Sequence, residues 1–255
     1  EEKQGRGEYT FSSQEAENHI QCTKTALKFA LYRQLLKKRI VRLHEEFFLI
    51  VPFEYRIKGV LPPTWFIDDL MRFLQMNYYV GLLSAAALHG AGHQQPQQFQ
   101  VMVTSILKPI KRKKIDLKFF QKKYLDSSQI VKLKTSTGYL CVSTPEVTAI
   151  DLVTYSKSVG SFNNIIAIFS DLIEKINPDQ LIGHAKNNIP ISILQRMGLL
   201  LDFVEAHEIT KGLHQWLFDY HTPKVIPLRS DKQFDNKNIN QKWLVAVNEE
   251  LEIDV

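Results

Sequence analysis

The segment from Ser12 to Val51 reads SSQEAENHIQCTKTALKFALYRQLLKKRIVRLHEEFFLIV. Its first part, Ser12 to Ile20, opens on a serine with glutamate in the next turn, the pairing that caps a helix start. Gln21 and Cys22 make a turn. From Thr23 to Arg39, apolar Ala26, Leu27, Ala30, Leu31, Leu35 and Leu36 recur at steps of three and four, which predicts a second helix. Its remaining face carries Lys24, Lys28, Tyr32, Arg33 and Lys37. Ile40–Leu43 and Phe47–Val51 then read as two strands around a tight turn at His44–Glu46. Helix, turn, basic helix and hairpin is the order of a winged helix-turn-helix. The first helix of such a domain must precede Tyr9, so within Glu1–Glu8 it is expected to be short, disordered or cut off.

Working outward, Val60-Leu61-Pro62-Pro63 is the best boundary, because paired prolines stop regular structure and stiffen a connector. Helices are expected near Trp65–Met76 and Gly81–His89, followed by a glutamine-rich loop at Gln94–Gln98. Strand-like runs follow at Gln98–Thr104, Ile115–Phe120, Ile130–Lys134 and Tyr139–Val142. Thr144-Pro145-Glu146 starts a helix to about Ser156, with threonine as cap and proline first in the helix. Further helices are expected at Phe162–Ile176, Pro178–Lys186, Ile191–Ala206 and Ile209–Tyr220, and strands at Val225–Leu228 and Lys242–Val247. The fold class is therefore α+β: a winged helix-turn-helix domain over 1–60, then a larger mixed α/β domain over 61–255.

The chain of 255 residues is 44% hydrophobic and 23% charged, the balance of a folded globular protein. Its longest apolar run, Val80–Leu88, is about half of what a bilayer span needs, and no secretory signal opens the chain. Two distant cysteines, Cys22 and Cys141, form neither a disulfide framework nor a metal-ligand pair, and a reducing cytoplasm is the expected home.

The net charge of +5 is unevenly spread. Between Gln21 and Leu43 the charged residues are Lys24, Lys28, Arg33, Lys37, Lys38, Arg39 and Arg42, with no acid. A second run holds Lys108, Lys111, Arg112, Lys113, Lys114, Lys118, Lys122 and Lys123 against Asp116 alone. Such asymmetry points to contact with a polyanion. A groove-entering helix must offer cations to phosphates and polar groups to base edges. Thr23, Lys24, Thr25 and Lys28 stand at its leading end, the part that points into the groove, while Arg33, Lys37, Lys38 and Arg39 farther along are expected to meet phosphates; Tyr32 and Arg42 are further DNA-binding candidates. Lys111, Arg112, Lys113 and Lys114 form a second candidate DNA-contacting strip; as an alternative, lysines simply keep a sheet edge soluble. Glu45 and Glu46 in the wing turn would be repelled by phosphates, so the helix and not the hairpin tip is expected to lead.

Catalytic chemistry finds little support. His89 and His93 are four apart, but Gly90 and Gly92 interrupt the helix and no nearby ligand completes a metal site. Glu146 and Asp151 are five apart, about 140° around a helix, and do not pair. Adjacent Asp68 and Asp69 diverge, Ser84 and Ser143 lack a nucleophile elbow, and no glycine-rich phosphate loop occurs. The chain is expected to be non-enzymatic, with no metal and no cofactor. A nuclease would need clustered carboxylates that cannot be assembled from this sequence.

Tyr79–Gly90 (YVGLLSAAALHG), Ser143–Val153 (STPEVTAIDLV) and Lys242–Asp254 (KWLVAVNEELEID) resemble the AbiEi antitoxin family of type IV toxin–antitoxin systems. Ala30–Val41 (ALYRQLLKKRIV) with Phe47–Val51 resembles that family's N-terminal winged helix. The resemblance implies a bacterial autorepressor that binds inverted repeats of double-stranded DNA in its own promoter. It also implies a nucleotidyltransferase-like AbiEii toxin as counterpart, opposed by the C-terminal domain without necessarily forming a stable complex. A winged-helix regulator that senses a ligand and has no toxin partner is the alternative left open. The acidic wing and the short start depart from the family's pattern.

Overall fold

The computed structural model describes residues 2–58, 61–92, 96–233 and 238–252. A short helix α1 (Glu2–Gly5) and strand β1 (Thr10–Ser12) lead into α2 (Ser13–Ile20). Ser12 caps α2: its hydroxyl accepts from the Glu15 backbone N–H, and the Glu15 carboxylate accepts from the Ser12 N–H. Two donors that a helix start leaves unpaired are thereby satisfied reciprocally. Gln21, at φ 51°, turns the chain into α3 (Lys24–Leu36), capped by Thr23. At its far end Lys38 N–H reaches the Leu35 carbonyl and Arg39 N–H the Gln34 carbonyl, closing the helix through a left-handed residue. Glycine is usual there; here it is Lys38, at φ 54°.

Strands β2 (Ile40–His44) and β3 (Phe47–Ile50) form an antiparallel hairpin, bulged between Arg42 and His44, and β1 adds against β3. Helix, turn, helix and hairpin thus stand in the order expected from the sequence. The third strand carries no sequence signal, since three residues are too few to display an alternation.

After α4 (Phe53–Lys58), a turn at Pro63–Trp65 leads to α5 (Ile67–Phe73), strand β4 (Tyr78–Val80) and α6 (Leu82–Leu88). The apolar run at 80–88 is therefore a strand end followed by a short buried helix. Strands β5 (Phe99–Val103), β6 (Ile110–Arg112), β7 (Ile115–Gln121), β8 (Ile130–Thr135) and β9 (Gly138–Ser143) join β4 in a six-stranded sheet ordered β6-β7-β5-β4-β9-β8. β4, buried throughout, pairs antiparallel with β5 and parallel with β9. Two of these strands were not expected. β4 is too short to show alternation, and β6 lies hidden between Pro109 and the lysine run.

The remaining helices are α7 (Pro145–Thr154), α8 (Ser156–Val159), α9 (Phe162–Leu172), α10 (Pro178–Ala185), α11 (Ile191–Phe203) and α12 (His207–Tyr220). α7 begins as its sequence dictates, with Thr144 accepting from Val147 N–H and Pro145 in the first turn, and it is buried from Glu146 to Val153. Three two-residue strands follow: β10 (Ile226–Pro227), β11 (Ile239–Asn240) and β12 (Val245–Ala246). Trp243, just before β12, is fully buried against Gly198 of α11, and its indole N–H donates to Asp202 at 2.6 Å.

The chain falls into two compact units, Glu1–Val80 with Gln97–Val142, and Gly81–Pro96 with Ser143–Val255. The expected division at residue 60 cuts within the first unit. Among the described residues no helix is long and apolar enough to cross a membrane.

Candidate nucleic-acid interface

α3 buries only Leu27, and that single anchor sets its orientation. Leu31, Leu35, Ala30 and Gln34 are half-buried beside it. Lys24, Thr25, Lys28, Tyr32, Arg33, Lys37, Lys38 and Arg39 are all exposed, and so are Thr23 and, on β2, Arg42. No described residue forms an ion pair with the cations of α3, and the helix itself contains no acid. Two of the candidates also hold the fold together. The Thr23 hydroxyl oxygen accepts from Ala26 N–H at 3.3 Å, and Arg42 Nε donates to the His44 carbonyl at 3.4 Å.

The cations do not share one face. Lys24 and Lys28 lie on one flank of α3 and Arg33 and Lys37 on the other, with Lys28 and Arg33 about 140° apart. Between the flanks, directly away from Leu27, runs a stripe of Thr25, Phe29, Tyr32 and Leu36. Phe29, Tyr32 and Leu36 are 64%, 58% and 63% exposed. The expectation that Ala26 and Leu36 face the core is thus corrected: both are exposed, because one helix cannot bury every apolar residue of a set that runs all round it. Phe29 was not singled out from the sequence. Its place seven residues before Leu36, on the side opposite Leu27, is the signal that marks it.

Two grooves adjoin these groups in the first compact unit. One of about 870 Å³ lies between α2, α3 and the β2–β3 hairpin, lined by Leu27, Leu31 and Phe48 and reaching Phe29 and Tyr32, with the cations Lys24, Lys28 and Arg42 and the acids Glu17, Glu45 and Glu46 also on its walls. The acidic wing tip therefore lies beside the Lys24–Lys28 flank. The second, of about 620 Å³, opens where β2 packs beside β6 and brings Arg42 together with Lys108 and Arg112. Lys113 and Lys114 form the two-residue turn between β6 and β7, with Lys113 at φ 54°. Lys111 points to the other side of the strand and meets Asp116 at 3.5 Å.

The residues weighed for chemistry serve the fold. Arg72 bridges Asp68 and Asp69 at 2.5 and 3.1 Å, Asp68 accepts from the Tyr78 hydroxyl, and Asp69 accepts from Thr10. In the second unit, Glu146 accepts from Asn177 N–H at 2.7 Å, while His89 Nε2 lies 2.7 Å from the Ser143 carbonyl oxygen. Burial holds the His89 imidazole below its ordinary pKa, and nearby Lys175 adds to the effect. The neutral ring suits a packed, hydrogen-bonded position. His93 lies outside the described residues. Among the described residues no group of three His, Cys, Asp or Glu could hold a metal ion.

Residues 79–203, from β4 through α11, match the model of the AbiEi antitoxin C-terminal domain. Over these residues the chain is similar to the AbiEi antitoxin family. The AbiEi segment contains α6 and α7, which carry the motifs at Tyr79–Gly90 and Ser143–Val153. The search of curated proteins found no match. Among solved structures, the RV2827C protein from Mycobacterium tuberculosis is similar with a TM-score of 0.68 at 14% identity, over 93% of this chain and 85% of that one. At that identity the likeness is one of fold. It extends beyond the AbiEi segment to most of the chain.

Proposed function

We propose that this protein is a non-enzymatic, DNA-binding autorepressor and the antitoxin of a type IV toxin–antitoxin pair. In this reading residues 1–60 are a winged helix-turn-helix that enters the major groove with α3. Residues 61–255 oppose a nucleotidyltransferase-like toxin, with or without a stable complex. The observation that carries the reading is the run of exposed cations, without an ion-pair partner among the described residues, on an acid-free helix, in the same chain as a segment that matches the AbiEi antitoxin C-terminal domain. In this reading the protein would act in the cytoplasm, on a chromosomal operator and a cytoplasmic toxin.

The deciding measurement is a mobility-shift titration of the full chain on duplex DNA from upstream of its own gene, across a salt series. The logarithm of the binding constant is expected to fall linearly with the logarithm of salt concentration, since each phosphate neutralised releases counterions. Binding no tighter than to unrelated duplex of the same length would remove the autorepressor reading. The antitoxin half predicts a nucleotidyltransferase-like gene beside this one, and co-expression should relieve the growth arrest that gene's product causes; no such gene, or no relief, would remove the antitoxin reading.

The β6–β7 turn is assigned the second contact with the DNA backbone, since Arg112 and Lys108 are brought beside Arg42 of the wing. Lys113 occupies a left-handed position that costs an L side chain about 1 kcal/mol, and asparagine tolerates it better. Lys113→Asn should therefore leave the thermal midpoint unchanged or slightly higher while reducing the salt slope by about one. A lysine present only to protect the sheet edge would leave the slope unaltered.

A further inference from the structure

The outward face of α3 holds more than charge. Phe29, Tyr32 and Leu36 follow at three- and four-residue steps and are 64%, 58% and 63% exposed, a continuous apolar stripe on the side of the helix away from Leu27. Water wets this surface at a cost, so it calls for an occupant. The flanks limit what that occupant can be. Lys24 and Lys28 border the stripe on one side and Arg33 and Lys37 on the other, and the helix offers no carboxylate. A second copy of α3 laid along it would set cations against cations with no carboxylate on either helix; Glu17, Glu45 and Glu46 share a groove with Lys24 and Lys28, but Arg33 and Lys37 lie on the other flank. A polyanion with apolar groups recessed between its charges fits instead.

Duplex DNA has that form. Its phosphates line both edges of the major groove, and the one apolar group on the groove floor is the C5-methyl of thymine. We infer that the Phe29–Tyr32–Leu36 stripe reads thymine methyl groups in the major groove, while the two cationic flanks of α3 meet the phosphates on either side. The inference rests on the DNA-binding reading above and adds to it the chemistry of base selection: the bound site contains thymines facing α3, and their methyls contribute to affinity. The apolar members of the stripe begin at Phe29, more than one turn into the helix and beyond Thr25, so polar contacts to base edges fall to the helix start and apolar ones to its middle.

The test changes the DNA before it changes the protein. Upstream duplex is prepared with deoxyuridine in place of thymidine, which removes each C5-methyl and leaves base pairing intact. The wild-type chain should bind the thymine duplex more tightly, by about four-fold for each contacted methyl. Phe29→Ala/Tyr32→Ala/Leu36→Ala should bind both duplexes equally, and its exposed positions leave the fold undisturbed. Lys24→Ala/Lys28→Ala/Arg33→Ala should bind both more weakly but keep the wild-type ratio between them. Equal wild-type affinity for the two duplexes, or an unchanged ratio in the stripe variant, would overturn the assignment while DNA binding itself stands. Self-association of the wild type that the stripe variant abolishes, without discrimination between the duplexes, would give the face to a second copy. Failure of the wild type to bind either duplex would instead strike the DNA-binding reading on which the assignment stands.

Discussion

Replacing Lys24, Lys28 and Arg33 together by alanine is expected to weaken binding to upstream DNA by about 10- to 100-fold, or roughly 1.4–2.7 kcal/mol. The same variant should flatten the salt dependence by two to three units of slope, since each lysine or arginine on a phosphate contributes slightly less than one. These side chains are exposed and make no ion pair with a described residue, so their removal costs the fold little. A mobility-shift series with circular dichroism on the same samples separates the two effects. The geometry also predicts a division of labour. Lys24 and Lys28 stand on one flank of α3 and Arg33 on the other, so the lysine pair and the arginine should contribute additively, as independent contacts on opposite groove walls do. Unchanged affinity and slope in a folded triple variant would mean that α3 does not face DNA.

The second large effect concerns the close approach of α11 to the C-terminal segment. A Cβ added at Gly198 would overlap the ring of Trp243, which is itself fully buried and cannot swing aside. Gly198→Ala gains about 1 kcal/mol of helix propensity but should lose about 1–3 kcal/mol or more to overpacking. Trp243→Ala should cost about 3–5 kcal/mol, lowering the thermal midpoint by about 10 °C. The indole also donates to Asp202. Burial raises the pKa of that carboxyl, but hydrogen bonds from Lys242, Trp243 and Thr210 outweigh it and hold the group below its ordinary range. The decisive measurement is the double variant. With the ring gone, Gly198→Ala should become neutral or stabilising, so the two penalties must fail to add. Simple additivity of the two thermal shifts would show that the contact is not what keeps Gly198 a glycine.

The wing turn marks a limit on how DNA can lie. Glu45 and Glu46 join Glu17 around the groove beside Lys24 and Lys28. There Lys24, Lys28 and Arg42 meet as many carboxylates, whereas in the second groove Arg42, Lys108 and Arg112 meet Glu45 alone among its lining residues, so a phosphate strand is better placed at the second.

Much of this protein can be read from local pattern alone. The Ser12–Glu15 capping box, the Thr23 cap of α3 and the Thr144–Pro145 start of α7 are set by interactions that span one turn. The β2–β3 hairpin follows from two apolar runs around a short turn, and the cationic excess of α3 needs only a count of its charges. What the tertiary structure alone decided depends on contacts between residues far apart in sequence. It placed Arg42 beside Arg112, turned Phe29 and Leu36 outward by choosing Leu27 as the buried anchor, and made β4 a strand by flanking it with β5 and β9. For the helix face and the strand the physical reason is the same. A helix with apolar residues all round it, and a strand of three residues, carry no periodicity that selects a face, so the neighbours against which they pack make the choice.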